Sequence, residues 1–229
     1  MRHYIIRHAL EFVVIVMGIS LSFYLEKQNA TAYKDTLKNQ SLGRILKNIE
    51  IDVKDYKFNL IAHNNAIESI NWLENHRDQL YLKTRDSIGF HYGRALIINT
   101  VFVDNQEEYR AIQNSGLIEL IENEEVVLGL QNKYSYHKFI KFLEEMIQKE
   151  LSVLSEDLYT NTRLVSPKLD SLGYLFDRTF VGQLPIPHPV FERLITVGSL
   201  HDYYNARVKS RIRRDSVLRL RIEKEIQWQ

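Results

Sequence analysis

Residues Leu42 to Ile70, LGRILKNIEIDVKDYKFNLIAHNNAIESI, decide how the chain reads. Leu42, Leu46, Ile49, Val53, Tyr56 and Leu60 alternate by four and three, and His63, Ile67 and Ile70 continue in register. A 4-3 alternation places one stripe along a helix, and charges such as Lys47, Glu50, Asp52, Lys54, Asp55 and Lys57 fall off that stripe. The register crosses His63-Asn64-Asn65 unbroken, so the helix is expected to run through it. The first 166 residues contain no proline, and Gly43 is the only glycine between residue 26 and Leu82. One long helix over about 26–82 follows. Packing in an ordinary bundle and coiled-coil self-association need the same stripe, and both readings stay open.

Moving towards the N-terminus, Phe12 to Leu25 holds fourteen uncharged residues, and starting at Ala9 gives seventeen with Glu11 as the interruption. Seventeen helical residues reach about 25 Å, close to a hydrocarbon core of about 30 Å. Tyr4, Arg7 and His8 flank one side and Tyr24 with Lys27 the other, as suits interfaces. A retained transmembrane helix over 9–25, behind a short cytoplasmic tail at 1–8, is the reading adopted. A cleaved leader is the second, since Ala30-Thr31-Ala32 has the small-x-small pattern. Glu11, Glu26 and Lys27 speak against it. The third is a helix enclosed in a soluble core, which the apolar residues all round it make costly. Anchor and stalk are expected to form one continuous helix. Lys and Arg lie on both sides of the anchor, but a long domain crosses a membrane largely regardless of charge, so the domain is assigned to the extracytoplasmic side. Within the span, Glu11 reads as an interfacial carboxylate paired with Arg7 or His8, or as a functional one. Gly18 and Ser22 form a small-xxx-small pair suited to helix packing.

Beyond the stalk, residues 83–104 lack a helical period and carry Gly89 and Gly93, which predicts a connector. Asp104 and Glu107 have capping-box spacing, for a short helix ending at Gly116. Asn123-Glu124-Glu125 opens a helix over 123–160, with Leu130, Tyr134, Ile140, Leu143, Ile147, Leu151, Leu154 and Leu158 along its stripe. All four prolines fall in 161–198, a connector with short helices expected near 168–176 and 190–197. Ser199 to Asp202 has the S-x-x-D signature and starts a last helix over 199–228. The fold class is therefore all-α: a transmembrane helix continuing into an elongated helical bundle, over 26–229, with antiparallel long helices.

The 229 residues carry 30 Lys+Arg against 29 Asp+Glu, are 45% hydrophobic and include no cysteine. This excludes a disordered chain, a disulfide framework and a thiolate metal site. The eight histidines show no helical metal-site spacing, and no phosphate loop, dinucleotide fingerprint or nucleophile elbow occurs. No cofactor, metal, catalytic residue or small-molecule substrate is predicted. The balance of charge conceals segregation. From Asp104 to Glu125, seven acids face Arg110 alone; from Arg207 to Lys224, eight bases face Asp215 and Glu223. The basic helix lacks nucleic-acid motif residues, and complementarity between the two segments, within one chain or between copies, or a merely solvated face, is the preferred account. The candidate interaction faces are Arg207, Arg211, Arg214 and Arg221 against Glu107, Glu108, Glu124 and Glu125.

The run Glu11, Val13, Val14, Ile15, Val16, Gly18, Ile19, Leu21 resembles the anchor of a family of uncharacterised single-pass membrane proteins known mainly from Bacteroidota. Tyr109, Ser115-Gly116, Leu120-Ile121-Glu122-Asn123, Leu130 and Tyr134 resemble a second stretch of that family. Before the anchor, Arg-His replaces the family's small residues, and Phe23-Tyr24-Leu25-Glu26 replaces its polar end. The resemblance implies topology and no chemistry: an inner-membrane, single-pass protein of the bacterial envelope. The function expected is a non-enzymatic helical scaffold or interaction protein, held by the lipid bilayer and joined to further copies or to a membrane-protein partner. The alternative is an extracytoplasmic ligand-sensing domain that signals through a partner.

Overall fold

A computed structural model describes residues 2–227, with side chains for all of them except residues 2–6, Ala9 and Gln227. The chain is mostly helical. Helix α1 spans Arg2–Asn75 without a break, 74 residues or about 110 Å at 1.5 Å per residue. The apolar N-terminal segment and the stalk are thus one helix, and a 3₁₀ turn over Arg77–Leu82 follows it. Among the described residues, no helix is long and apolar enough to cross a membrane. Glu11 and Glu26-Lys27 bracket the uncharged run of α1 at fourteen residues.

Helix α2, Arg85–Ile97, replaces the expected connector over 83–104. Thr84 caps it by accepting a hydrogen bond from the Ser87 N–H. Its glycines are packing residues. A Cβ on Gly89 would meet the Arg178 carbonyl oxygen at 2.3 Å, and one on Gly93 would meet the Arg178 side chain at 2.9 Å. Glycine here lets a helix lie directly on a strand.

Helix α3, Glu107–Asn114, forms without the expected capping box. Asp104 instead accepts from the Gln106 side chain and pairs with Lys141 of the next long helix. The stop at Gly116 is as expected, in left-handed backbone at φ 71°. Helix α4, Glu124–Asn161, begins at Asn123, whose side chain accepts from the Glu125 N–H.

The proline-containing segment differs from expectation at both ends. Residues 168–176 form turns built on Asp170, whose carboxylate accepts from the Leu172 and Tyr174 N–H groups. Two short strands, β1 (Thr162–Leu164) and β2 (Arg178–Phe180), pair antiparallel with Thr162 opposite Phe180. Helix α5 runs over His188–Gln227, so it begins eleven residues before Ser199. Pro189 sits in its first turn, where a missing N–H costs nothing. The Ser199 hydroxyl lies inside the helix and donates to the Ile195 carbonyl. The expected helix end at Trp228 lies outside the described residues.

Three long helices make the bundle. Lys38 meets Glu225 and Asn59 meets Tyr204, so α5 runs antiparallel to α1. Lys133 meets Asp215 and Glu150 meets Arg193, so α5 also runs antiparallel to α4. Helices α1 and α4 are therefore parallel, with α2 and α3 in the connection that returns the chain.

Candidate functional site: a buried polar seam

Besides flanking buried residues such as Ser41, Ala62, Ser69, Tyr134, Leu143 and Asn205, each long helix carries a buried stripe whose residues repeat every three and four. On α1 they are Lys38, Leu42, Ile45, Ile49, Asp52, Tyr56, Asn59, His63, Ala66, Ile70 and Leu73. On α4 they are Val126, Leu130, Lys133, His137, Ile140, Glu144, Ile147, Leu151, Leu154 and Leu158. On α5 they are Val197, His201, Tyr204, Val208, Arg211, Asp215, Leu218, Ile222 and Glu225. This is the 3.5-residue period of a coiled coil, with polar residues at core positions of all three helices. They gather at three levels along the axis.

The middle level is ionic. The Lys133 ammonium lies 2.7 Å from Asp52 and 3.3 Å from Asp215. Arg211 donates from Nη2 and Nε to the other oxygen of Asp215 at 2.6 and 2.9 Å, and from Nη1 to Asn132. Asn105 donates to Asp52 at 2.9 Å. Lys133, Asp52 and Asp215 are wholly buried, and Arg211 nearly so. Two bases and two acids thus balance. Burial still pushes the Asp52 carboxyl above its usual range, against the pull of Lys133. His137 lies 3.6 Å from Asp52 and 3.4 Å from Asp104, and burial together with Lys133 lowers it to about 3. It is therefore neutral at pH 7.

The second level, deeper in the bundle, is a directed chain. The Glu144 carboxylate accepts from Thr100 Oγ1 at 2.9 Å, Tyr204 Oη at 3.0 Å and the Phe102 N–H at 2.8 Å. With the Thr100 proton given to Glu144, Thr100 accepts from His63 Nε2–H at 2.7 Å. His63 Nδ1 then carries no proton and accepts from His201 Nδ1–H at 2.6 Å. That leaves His201 Nε2 unprotonated, and it is the buried ring nitrogen of that residue without a partner. The His63 ring stacks on Tyr204 at 3.9 Å. Burial raises Glu144 to about 7, lowers His201 to about 4 and lowers His63 well below its usual value.

The third level lies nearest the apolar end of α1. Lys38 is buried 3.6 Å from Glu225 and donates to the Leu120 carbonyl. Glu225 accepts from the Glu122 and Asn123 N–H groups at 2.9 and 3.1 Å. The approach to α4 is thereby tied to α1 and α5.

What these groups can do follows from their burial. Two imidazoles set edge to face, with their Nδ1 atoms 2.6 Å apart, leave no room for an ion between them. Among the described residues, no group of three or more His, Asp or Glu is placed to hold a metal. The seam can fix axial register, because a slip of one helix would leave a buried charge unpaired at a cost of several kcal/mol.

The residues singled out from sequence are scattered around this seam. Arg211 belongs to it, buried against Asp215. Arg221 pairs with Glu125 at 3.0 Å, and Arg44 pairs with Glu108 at 2.8 Å. Arg207 is exposed with its guanidinium 4.6 Å over the Tyr203 ring. Arg214, Glu107 and Glu124 are exposed. Glu11 accepts from Arg7 and contacts His8 at 3.1 and 3.0 Å. Gly18 and Ser22 lie on the exposed N-terminal part of α1, with nothing within 4 Å of a Cβ at Gly18. Asp52, Lys133, Asp215, Glu144, Thr100 and His201 were not predicted. Apart from Thr100, which lies in the coil after α2, their signal was a polar residue standing at a 3-4 position of an otherwise apolar stripe.

No known protein family, curated protein or solved structure matches this chain.

Proposed function

We propose that the protein is a membrane-attached helical scaffold, in which the N-terminal part of α1 enters a bilayer and the bundle serves as a rigid interaction module. One observation carries this reading. Large apolar side chains from Leu10 to Leu25 are 44–67% exposed and occupy every face of α1. An apolar patch of that extent needs a cover, and a helix apolar all round needs it on all sides. A bilayer supplies such a cover. The uncharged run is short for a hydrocarbon core, so the flanking turns and local thinning would complete the match. Continuity of α1 supports a rigid link, because no hinge separates the apolar turns from the seam that begins at Lys38. The resemblance to single-pass envelope proteins, with the bundle on the extracytoplasmic side, agrees with this arrangement.

The test is extraction from native membranes. The full chain is expected to stay in the pellet at alkaline carbonate and to dissolve in mild detergent. Val14→Arg with Ile15→Arg should release it without changing the melting of the bundle. Recovery of the unaltered chain in the carbonate supernatant would sink the proposal.

A further inference from the structure

Helices α4 and α5 leave a groove of about 490 Å³ along their outer side. Its floor is apolar, with Leu128 and Val217 about half exposed above the buried Leu218. Gly129 permits the close approach there, since a Cβ would meet Leu218 at 2.6 Å. Arg213, Arg214 and Arg221 line it. Arg221 has Glu125, but among the described residues Arg213 and Arg214 have no carboxylate partner. The groove is thus an apolar slot with two uncompensated cations, and it calls for an anionic occupant.

The chain carries a matching surface. Glu107, Glu119, Glu122 and Glu124 are exposed, and none of their carboxylates has a cationic partner among the described residues. They lie on α3, on the 3₁₀ turn over Leu117–Leu120 and at the start of α4. Helix α3 flanks α4 along Gln131, Tyr134, Ser135 and Lys138, whereas the groove flanks α4 along Leu128, Gly129 and Asn132. At about 100° per residue these two sets are centred about 120° apart around α4. Basic groove and acidic patch therefore lie on different sides of α4. Glu107 sits near the height of Arg213 and Arg214, because Asn105, two residues before it, reaches Asp52, which shares Lys133 with Asp215; Glu119 to Glu124 lie nearer the Lys38–Glu225 level, about ten helical residues or roughly 15 Å along the axis.

We infer that the groove between α4 and α5 takes a second copy of this chain, whose acidic patch around Glu107 and Glu119 to Glu124 docks on Arg213 and Arg214. Copies held upright by α1 would present the two surfaces side by side. The contact is head-to-tail, so it builds a row or a closed ring rather than a two-fold dimer. The upright alignment rests on the proposed membrane attachment; the contact itself does not, and it can be read out in detergent.

The chain has no cysteine, which makes engineered pairs unambiguous. Full-length Arg214→Cys and Glu107→Cys are prepared separately in mild detergent and oxidised alone and as a mixture. A disulfide-linked dimer is expected from the mixture and from neither variant alone. In parallel, Arg213→Glu with Arg214→Glu should weaken self-association by about tenfold or more in sedimentation. Glu107→Lys added as the second partner should restore it. Unchanged melting of each variant separates lost contact from lost folding. Cross-linking of a single variant with itself, equal association after charge reversal, or a monomer throughout overturns the inference. Failure of carbonate retention with the mixed cross-link present would reject the membrane reading and leave the contact standing.

Discussion

The Lys133 ammonium on α4 lies 2.7 Å from the Asp52 carboxylate on α1, and both side chains are completely buried. Asp215 of α5 shares the same ammonium, so one cation ties three helices together. Such a cluster fixes register more than it adds stability, because desolvation consumes most of the Coulombic gain.

Removing the cation alone leaves one net negative charge in the core. Lys133→Met is expected to destabilise the bundle by about 3–5 kcal/mol. Lys133→Met combined with Asp52→Leu should recover most of that loss, since the Arg211–Asp215 pair then remains balanced. Urea midpoints of the two variants and the unaltered chain measure both effects. A double variant as weak as the single one would mean that Lys133 acts mainly through packing.

Stability should depend on pH through the Glu144 chain, with opposite signs at its two ends. Glu144 binds its proton more tightly when folded, at about 7 against 4.5 in the unfolded chain. Its burial penalty is absent below pH 4.5 and complete above pH 7, so its share of the stability falls as pH rises across that window. His201 binds its proton less tightly when folded, at about 4 against 6.5. Its share is complete above pH 6.5 and is lost as pH falls towards 4. Glu144→Gln should therefore remove a falling contribution, of at most about 3 kcal/mol, and His201→Gln a rising one. Denaturation at a series of pH values between 4 and 8 tests this; parallel curves for all three proteins would contradict it.

Gly89 should not tolerate a methyl group. The added Cβ would press on the Arg178 carbonyl and on the backbone of Thr179 and Phe180, which cannot swing aside as a side chain can. Gly89→Ala is expected to cost about 1–3 kcal/mol. Gly43→Ala, with nothing within 4 Å, should instead gain up to about 1 kcal/mol through helix propensity. Melting temperatures that move the same way for both would refute the distinction.

Glu225 holds two backbone N–H groups and faces a buried lysine. Glu225→Ala should cost about 1–3 kcal/mol and loosen the approach to α4 first. Amide exchange at Glu122 and Asn123 is expected to speed up well before exchange in the centre of α4. Unchanged exchange there would show that Lys38 alone orders this turn.

The sequence reading of α1 shows how far pattern could go. It placed Leu42, Ile49, Tyr56, His63 and Ile70 on the buried face correctly. For the alternate positions it chose Leu46, Val53, Leu60 and Ile67, which are apolar but only partly buried. The bundle instead buries Ile45, Asp52, Asn59 and Ala66, one residue earlier. A hydropathy pattern cannot select a charged or very small residue as core when an apolar neighbour is available. The same bias hid Lys133 and Glu144 on α4 and Arg211 and Asp215 on α5. Gly89 and Gly93 misled in a related way: they look like breakers until the strand that needs the space is known.

By itself the sequence determined the elements whose cause is local. Periodic apolar residues without proline gave the long helices, Asn123 gave the start of α4, and Gly116 gave the end of α3. It also determined an apolar N-terminal helix with no polar face. Only the tertiary structure decided which of two adjacent residues faces inward, where α5 begins, and which carboxylate answers which cation. Those outcomes depend on partners more than 30 residues away along the chain in most of the seam contacts. Burial turns such distant pairings into requirements, because a charge that is harmless in water must find its counterpart once water is gone.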